Sequence, residues 1–290
     1  MSTHRFQGQQ QGQPSVEQWL AEQRAAGFDD LSLYRSLRDA GWDHLAACQW
    51  VGLKPAAIET AGQSRDAAPM AARPVPWPRG AGEQAWLDAG DRRVQALALM
   101  HEPELIVLGQ LLDAQECEAL IEAARPRLLR SLTISVKTGG EEENIDRTSQ
   151  GMFFERGESE LIQRIEQRLA HLLGWPVENG EGLQILRYAP GAQYKPHYDY
   201  FDPLEPGTPT ILRRGGQRVA TVVMYLNEPE AGGATVFPDV RFECLPVKGN
   251  AVFFNYSRPH PSSRSLHAGA PVLRGEKWIA TKWLREGRFD

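Results

Sequence analysis

The chain has 290 residues and a formal net charge of −5; 41% of the residues are hydrophobic and 24% are charged. This composition supplies enough apolar side chains for a sizeable core and excludes a disordered chain. The acidic balance disfavours a general nucleic-acid binder, which carries a broad basic surface. The three cysteines are far apart and form no Cys-x-x-Cys pair, so they indicate neither a disulfide framework nor a zinc site.

No address signal is visible in the sequence. The N-terminal segment is polar and rich in glutamine, without the apolar stretch of a signal peptide. No apolar run approaches the roughly 18 residues that a membrane span requires. We therefore expect a cytoplasmic protein that has no membrane partner.

Residues 1–61 are predicted to form a small all-α unit. Three short segments carry apolar residues at helical spacing, and Ser15 is placed to cap the first of them. Because each segment is too short to bury its apolar stripe alone, we expect the three to pack together. Residues 62–85 contain four prolines and are predicted to be a linker, which leaves 86–290 as the main domain.

The main domain is predicted to open with a strand, "ELIVLGQLL", followed by two helices and then by many short strands. A helix is predicted to start at Asp113, with Glu116 at the capping-box position, and a second amphipathic helix is predicted to end at Gly174. After Gly174 the apolar residues alternate in short runs separated by turn residues. This order predicts a β-sandwich or barrel supported by helices.

Two long segments are predicted to be mobile loops. Residues 135–151 and 202–217 are rich in Gly or Pro and too polar to be buried. Loops of this length tend to be lids or binding loops.

His197 and Asp199 lie two residues apart in "YKPHYDYF", so on an extended chain their side chains point to the same face. Imidazole and carboxylate suit a divalent first-row metal, and a second histidine would complete a two-histidine, one-carboxylate site. His260 lies between two prolines, where a loop is expected, and His267 lies at the end of a strand. These residues alone leave both histidines open as the third ligand.

Lys277 begins the segment "KWIATKWL", whose alternation puts Lys277, Ile279, Thr281 and Trp283 on one face. If this face is the interior, a buried ammonium needs an anion. The sequence offers no obvious carboxylate for it, so the carboxylate of a ligand is a natural candidate. The alternative is that Lys277 extends to the surface from the start of the strand.

Four separated segments together resemble the prolyl 4-hydroxylase branch of the iron(II)- and 2-oxoglutarate-dependent dioxygenases. They are "RTSQGMFF", "LQILRYAPGAQYKPHYDYF", "GGQRVATVVMYLNEPEAGGATVFP" and "SLHAGAPVLRGEKWIATKWLRE". The resemblance extends over roughly residues 100–286 and does not include the first 80. It implies an α+β fold with a double-stranded β-helix core, the jelly-roll architecture of cupins, and supporting helices.

The resemblance also implies a set of site residues. Fe(II) would be bound by His197, Asp199 and His267, which would be the catalytic residues. The positions implied for the cosubstrate are Tyr188, Lys277, Thr221 and Trp283, with Lys277 holding the distal carboxylate of 2-oxoglutarate. The positions implied for substrate binding are Arg147 and Arg218.

The reaction implied is hydroxylation of an unactivated carbon, in which O2 and 2-oxoglutarate are consumed and succinate and CO2 are released. A prolyl residue in a peptide or protein is the favoured substrate, and ascorbate is expected by resemblance alone. In the nucleic-acid demethylase branch the cosubstrate anchor is an arginine within an Asn-x-Thr pattern. Lys277 and its surroundings lack that pattern, which disfavours a nucleic-acid substrate.

Three alternatives remain open from the sequence. One is a cupin-like module that binds a metal or a small acid without oxidation. Another is a dioxygenase that acts on a non-prolyl substrate. The third is that the N-terminal helices bind a protein partner and are the main functional element, with the dioxygenase serving as a sensor or modifier.

Overall fold

The computed structural model describes residues 16–25, 30, 33–34, 37, 44–53, 72–130, 132–134, 141–143 and 148–290. The chain divides into two compact units, Met1–Met70 and Ala71–Asp290. Within the described ranges, no helix is long and apolar enough to cross a membrane.

The first unit contains two described helices, α1 (Val16–Ala25) and α2 (His44–Val51). Residues 30, 33–34 and 37 are also helical, whereas Ser15 and most of the second predicted helix lie outside the described residues. The apolar stripes meet in a small core that contains Leu20, Leu33, Leu37, Ala47 and Val51. Burial of these side chains against one another is the main stabilising contribution available to helices this short.

The second half of the predicted linker is packed against the second unit. Residues 72–85 form no helix or strand, but Val75 and Trp77 contact its core. The Asn255 side chain donates a hydrogen bond to the Pro76 carbonyl at 3.2 Å. The prolines therefore prevent a helix or strand here, but the segment still packs in a defined position. Residues 62–71 lie outside the described part.

The second unit is built on a nine-stranded sheet. Its strands are β1 (Trp86–Asp88), β2 (Arg93–His101), β3 (Glu104–Gly109), β4 (Leu129–Arg130), β7 (Gln150–Phe154), β8 (Leu183–Tyr188), β10 (Arg218–Tyr225), β14 (Ala251–Asn255) and β17 (Lys277–Arg285). Their order is β1-β2-β3-β14-β10-β17-β8-β7-β4, and every pairing in it is antiparallel.

A second sheet of four strands has the order β13-β12-β15-β9. Its strands are β9 (Tyr194–His197), β12 (Thr235–Phe237), β13 (Phe242–Cys244) and β15 (His267–Gly269). Two further strand pairs are β5 (Leu132–Ile134) with β6 (Glu141–Glu143), and β11 (Ala231–Gly232) with β16 (Val272–Arg274).

Two helices pack on one face of the large sheet, α3 (Ala114–Ala124) and α4 (Glu160–Leu173). The predicted capping box of α3 is confirmed, with Asp113 and Glu116 each accepting a hydrogen bond from the backbone of the other. The predicted end of α4 at Gly174 is also confirmed, since Gly174 takes the left-handed conformation at φ 62° that glycine adopts at helix ends. Apolar residues of both helices join those of β8 in one core.

A second core lies between the two sheets. The large sheet contributes Leu186 and Tyr225, and the small sheet contributes Phe237 and Cys244. Two antiparallel sheets that enclose a core, with helices on the outer face of one of them, match the predicted α+β fold with a double-stranded β-helix. A cavity between these sheets is lined by residues of both.

The two predicted loops contain more structure than their composition indicates. Strand β6 lies within residues 135–151, although 135–140 and 144–147 are outside the described part. Residues 202–217 include α5 (Thr208–Ile211) and end at the buried Gln217. The Gln217 amide bonds both the backbone N–H and the carbonyl of Phe201, at 2.8 and 2.7 Å. The expectation that this segment is too polar to be buried holds for most of it, but Gly207, Thr208, Ile211 and Gln217 are buried. Gln217 can be buried because its polar groups find partners inside the protein.

Candidate active site

Strand pairing brings two histidines together next to the second core. β9 ends at His197 and β15 begins at His267, and these residues are directly opposite each other in the antiparallel pair. Their ring centroids are 4.3 Å apart. Asp199 lies two residues beyond His197, and one ligand atom from each of the three side chains lies within 4.8 Å of the others.

Backbone carbonyls fix the orientation of both imidazoles. His197 Nδ1 lies 2.8 Å from the Lys195 carbonyl, and His267 Nδ1 lies 2.9 Å from the Ser265 carbonyl. Since a carbonyl can only accept, each Nδ1 carries a proton, and in the neutral form of either ring the lone pair therefore lies on Nε2. Both Nε2 atoms face the Asp199 carboxylate, at 3.6 and 3.5 Å.

The charges of the three groups suit metal binding. Burial alone would raise the pKa of Asp199, but the neighbouring His267 and His197 rings and Arg218 outweigh this effect and lower it. Burial and the adjacent His197 lower the pKa of His267 to about 4. At neutral pH the site therefore presents a carboxylate and a neutral His267 imidazole, which are the protonation states that bind a cation.

The donor set matches the two-histidine, one-carboxylate arrangement of non-haem Fe(II) oxygenases. It is the one group of three potential metal-binding side chains found among the described residues. His260 lies elsewhere, where its Nδ1 accepts a hydrogen bond from the Ser262 backbone and caps the turn Pro261–Ser263. The loop position expected for His260 is confirmed.

Lys277 supplies a buried positive charge close to this group. It starts β17 opposite Tyr188 at the end of β8, and it is 2% exposed. Its Nζ lies 5.6 Å and 5.7 Å from the ring centroids of Tyr188 and Tyr225. Within the described part of the chain, no carboxylate lies at salt-bridge distance from it. Burial lowers the pKa of Lys277 to about 8, against a smaller opposing effect of Cys244.

A glycine makes room for this lysine. Gly233 has φ +75°, and a Cβ placed on it would lie 3.1 Å from Lys277 Cδ. A side chain at position 233 would therefore push the lysine stem out of its present path.

One cavity contains both features. It is lined by His197, Asp199 and His267 at one part and by Lys277 and Tyr188 at another. Ile279, Thr281 and Trp283 also line it, which confirms the predicted inward face of β17. A small molecule in this cavity can contact the three candidate metal ligands and the ammonium together.

Comparison with known proteins gives the same assignment as this geometry. The family model of the 2OG-Fe(II) oxygenase superfamily matches residues 183–285. The chain is 40% identical over 222 residues to prolyl 4-hydroxylase 5 of Arabidopsis thaliana, covering 69% of this chain and 74% of the relative. It is 44% identical over 205 residues to prolyl 4-hydroxylase 1 of the same plant, covering 63% and 69%.

The chain belongs to the prolyl 4-hydroxylase family. As a member, it is a 2-oxoglutarate-dependent dioxygenase that uses Fe(II) and O2, which decides against the non-enzymatic alternative. Among solved structures, it is similar to the viral collagen prolyl hydroxylase of Paramecium bursaria Chlorella virus-1. That comparison gives 32% identity and a TM-score of 0.49, and it covers 62% of this chain and 95% of the other.

Trp283 and Thr221, the other two residues predicted to contact the cosubstrate, lie in different environments. Trp283 lines the cavity, and its buried Nε1 has no hydrogen-bond partner among the described residues. Thr221 lies opposite Trp283 in the β10–β17 pair and is fully buried. Its hydroxyl bonds Asp199 Oδ2 at 2.7 Å, so its direct contact is with a candidate metal ligand.

Arg218, a predicted substrate residue, is buried and already paired. Its Nε and Nη2 donate to the two oxygens of Glu181 at 2.6 and 2.8 Å. Its guanidinium carbon lies 4.0 Å from the Trp283 ring centroid, and Nη1 lies 3.4 Å from the Asp199 carbonyl. Arg285 shares Glu181, with Nε 2.6 Å from Oε1. Arg147, the other predicted substrate residue, lies outside the described residues.

Two residues near the site, Glu181 and Tyr256, were not predicted from the sequence. Glu181 is the buried partner of two arginines, and Tyr256 contacts the Thr221 hydroxyl. Glu181 lies in "ENGEG", which resembles an ordinary polar turn. Tyr256 follows the apolar strand "AVFFN", so an inward-facing tyrosine with a polar contact was the available signal.

Proposed function

We propose that this dioxygenase hydroxylates prolyl residues of a peptide or protein, with His197, Asp199 and His267 holding Fe(II) and Lys277 holding 2-oxoglutarate. The observation that carries the assignment of roles is one cavity lined both by the three-residue candidate metal-binding group and by Lys277, whose ammonium has no carboxylate at salt-bridge distance among the described residues.

The metal role is supported by the orientation of the donors. Two Nε2 atoms and one carboxylate face one point, and both Nδ1 atoms are occupied by backbone carbonyls. These three ligands would hold Fe(II) and would leave part of its coordination sphere open to the cosubstrates. When bound, the Fe(II) supplies the oxidative chemistry of the reaction, while the protein positions the reactants and excludes water.

The cosubstrate role is supported by charge. A buried ammonium without a partner is costly, and the distal carboxylate of 2-oxoglutarate would remove that cost. Tyr188 is the cross-strand partner of Lys277 and lines the same cavity, so its hydroxyl is placed to assist. Trp283 would line the same space.

The prolyl substrate is proposed from the relatives, which are prolyl 4-hydroxylases. We also propose Arg147 and Arg218 as substrate-binding residues. Arg218 would act from a fixed position, because Glu181 and Trp283 hold its guanidinium. No contact with nucleic acid or membrane is proposed.

Three further proposals extend beyond the active site. Ascorbate is proposed as a reductant that sustains turnover, by family resemblance. A cytoplasmic location is proposed from the absence of an address signal, and it is supported by Cys117 and Cys244, which are buried as thiols and fit a reducing compartment. A protein partner for residues 1–61 is supported by their separate compact unit. Truncation before Ala71 should then abolish partner binding while leaving 2-oxoglutarate turnover intact.

The deciding experiment is anaerobic loading with Fe(II), followed by measurement of succinate formed from 2-oxoglutarate when O2 is admitted. A proline-rich peptide should stimulate succinate formation and gain hydroxyl groups, and the same peptide with alanine in place of proline should do neither. If the protein is fully occupied by Fe(II) but forms no succinate under any condition, the proposed enzymatic activity is contradicted. Equal stimulation by both peptides would contradict the prolyl substrate.

Two histidine variants test the metal ligands in the same assay. His267→Ala should abolish Fe(II) binding and turnover, whereas His260→Ala should retain both, because His260 only caps a turn. Loss of metal with His260→Ala and retention with His267→Ala would reverse the assignment.

A further inference from the structure

Two hydroxyl groups form a hydrogen-bonded series behind the Asp199 carboxylate. One belongs to β10 of the large sheet, and the other belongs to the residue that follows β14. Thr221 Oγ1 on β10 lies 2.7 Å from Asp199 Oδ2 and 3.0 Å from the hydroxyl of Tyr256, which follows β14. All three side chains are buried, at 5% exposure for Asp199, 0% for Thr221 and 2% for Tyr256. Water therefore cannot substitute for either hydroxyl without displacing protein atoms.

The direction of both hydrogen bonds follows from the chemistry of the groups. An ionised carboxylate can only accept, so Thr221 donates its one proton to Asp199. Tyr256 must then donate to Thr221. Burial and the nearby Asp199 raise the pKa of Tyr256 well above 10, which keeps the phenol protonated as this direction requires.

The backbone fixes the far end of the chain. Tyr256 N donates to the Val219 carbonyl at 3.0 Å, which continues the pairing of β10 with β14. The Tyr256 ring lies between Phe254 and Tyr200, with centroid distances of 6.2 and 6.1 Å. The phenol is thus held by the sheet and by packing, independently of Asp199.

We infer that Tyr256 is a positioning residue that acts through Thr221 to orient the Asp199 carboxylate toward the metal, an inference that rests on the proposed metal site. Thr221 bonds Oδ2, the oxygen that lies 3.5 Å from His267 Nε2, while Oδ1 lies 3.6 Å from His197 Nε2. The bond from Thr221 therefore fixes the rotation of the carboxylate between the two imidazoles. Hydrogen bonds to ligating carboxylates tune metal sites in this way. In a buried chain, the donor to Thr221 also polarises the bond that Thr221 makes.

The protein contains a matched control for this arrangement. Tyr225 also donates its phenolic hydrogen to a threonine, Thr235, at 2.8 Å, and both of these side chains are buried. No bond from this second pair to a metal-binding residue is present among the described contacts. Tyr225→Phe removes the same group from the same kind of environment and should leave Fe(II) affinity unchanged.

The test measures Fe(II) affinity by anaerobic equilibrium dialysis, without turnover. Thr221→Val should weaken binding by about 10- to 100-fold, the usual range for a lost hydrogen bond to a metal ligand. Tyr256→Phe should weaken it by about three- to tenfold, as expected for one neutral hydrogen bond. Thr221→Ser keeps the hydroxyl and should bind within about twofold of wild type.

The double variant Thr221→Val/Tyr256→Phe distinguishes positioning from a general structural effect. Since Tyr256 acts through Thr221, adding Tyr256→Phe to Thr221→Val should cause no further loss of affinity. Thermal unfolding of the metal-free variants shows that each is folded before dialysis.

Two results would overturn the inference. One is wild-type affinity for Tyr256→Phe, and the other is an additive loss in the double variant. Both leave the proposed function intact if wild type binds Fe(II) and His267→Ala does not. A wild-type chain that binds no Fe(II) would instead overturn the proposed function and this inference together.

Discussion

The two faces of β17 carry two buried lysines with different environments. Lys277 and Lys282 are each 2% exposed, and burial is the largest influence that lowers the pKa of each. Lys282 faces the helices and is ion-paired with Glu166 of α4. Lys277 faces the cavity and has no carboxylate partner in the described part of the chain.

This difference separates a structural charge from a ligand-binding charge. The Lys282 ammonium is neutralised within the protein, so its position depends only on folding. The Lys277 ammonium is desolvated without compensation, and a ligand that brings a carboxylate completes the pair. A buried cation is therefore informative about function when its partner is absent from the fold.

The largest expected effect is a loss of stability when the Lys282–Glu166 ion pair is broken. In the wild type, the Gly157 N–H donates a hydrogen bond to Glu166 at 2.9 Å. Glu166→Gln keeps an acceptor for this N–H but leaves the Lys282 ammonium without a counter-charge. Removing one partner of a buried pair should lower the free energy of unfolding by about 3–5 kcal/mol. Urea denaturation measures this loss. Lys277→Met should unfold at the same urea concentration as wild type or a higher one, and an equal loss for both variants would break the comparison.

The next largest effect is expected on the KM for 2-oxoglutarate when Lys277 is replaced. Lys277→Met should raise the KM for 2-oxoglutarate by about 30-fold or more, because truncating a buried charge pair costs at least about 2 kcal/mol. Fe(II) affinity should be unchanged in this variant. The control is Lys282→Met/Glu166→Leu, which removes both charges of the other pair and should leave the KM near wild type. A normal KM for Lys277→Met would exclude this lysine as the anchor.

A pH dependence follows from the lowered pKa of Lys277. The ammonium is present below about pH 8 and is lost as the pH rises through that value, so anion binding weakens in alkaline solution. We expect kcat/KM for 2-oxoglutarate to fall above about pH 8, by up to about tenfold per pH unit. Lys277→Arg, which stays charged, should lack this fall. A wild-type profile in Lys277→Arg would assign the titration to another group.

The smallest effect concerns Gly233, which makes room for the Lys277 stem. Gly233→Ala and Gly191→Ala both place a side chain at positive φ, so each should lose about 1–2 kcal/mol of stability. A Cβ at position 191 meets nothing within 4 Å, whereas one at 233 meets Lys277 Cδ at 3.1 Å. Only Gly233→Ala should also raise the KM for 2-oxoglutarate, by about two- to tenfold. Equal KM values would show that the lysine stem adapts.

Local patterns were sufficient to predict the parts of the fold that local chemistry determines. The Asp113 capping box, the Gly174 helix end and the inward face of β17 each depend on residues within a few positions of one another. The choice of His267 over His260 depends on the pairing of β15 with β9. Periodicity does not specify that pairing, so the resemblance was needed.

The contacts of Arg218 and Thr221 could not be predicted for the same reason. Glu181 is 37 residues from Arg218, and Tyr256 is 35 residues from Thr221. Only the folded sheet brings these side chains together. Composition could not show which residues of 202–217 are buried, because it reports polarity, whereas burial depends on whether each polar group finds a partner, as Gln217 does.

The direct opposition of His197 and His267 has a consequence for how the small sheet assembles. In a strand pair, a shift of one residue turns every side chain to the other face, so only one alignment of β9 and β15 brings both imidazoles together. Any ion held by both rings adds its binding free energy to that alignment and to none of its neighbours. If His197 and His267 hold Fe(II) as proposed, the ion would therefore also stabilise the alignment of β9 and β15 that places the two imidazoles opposite each other.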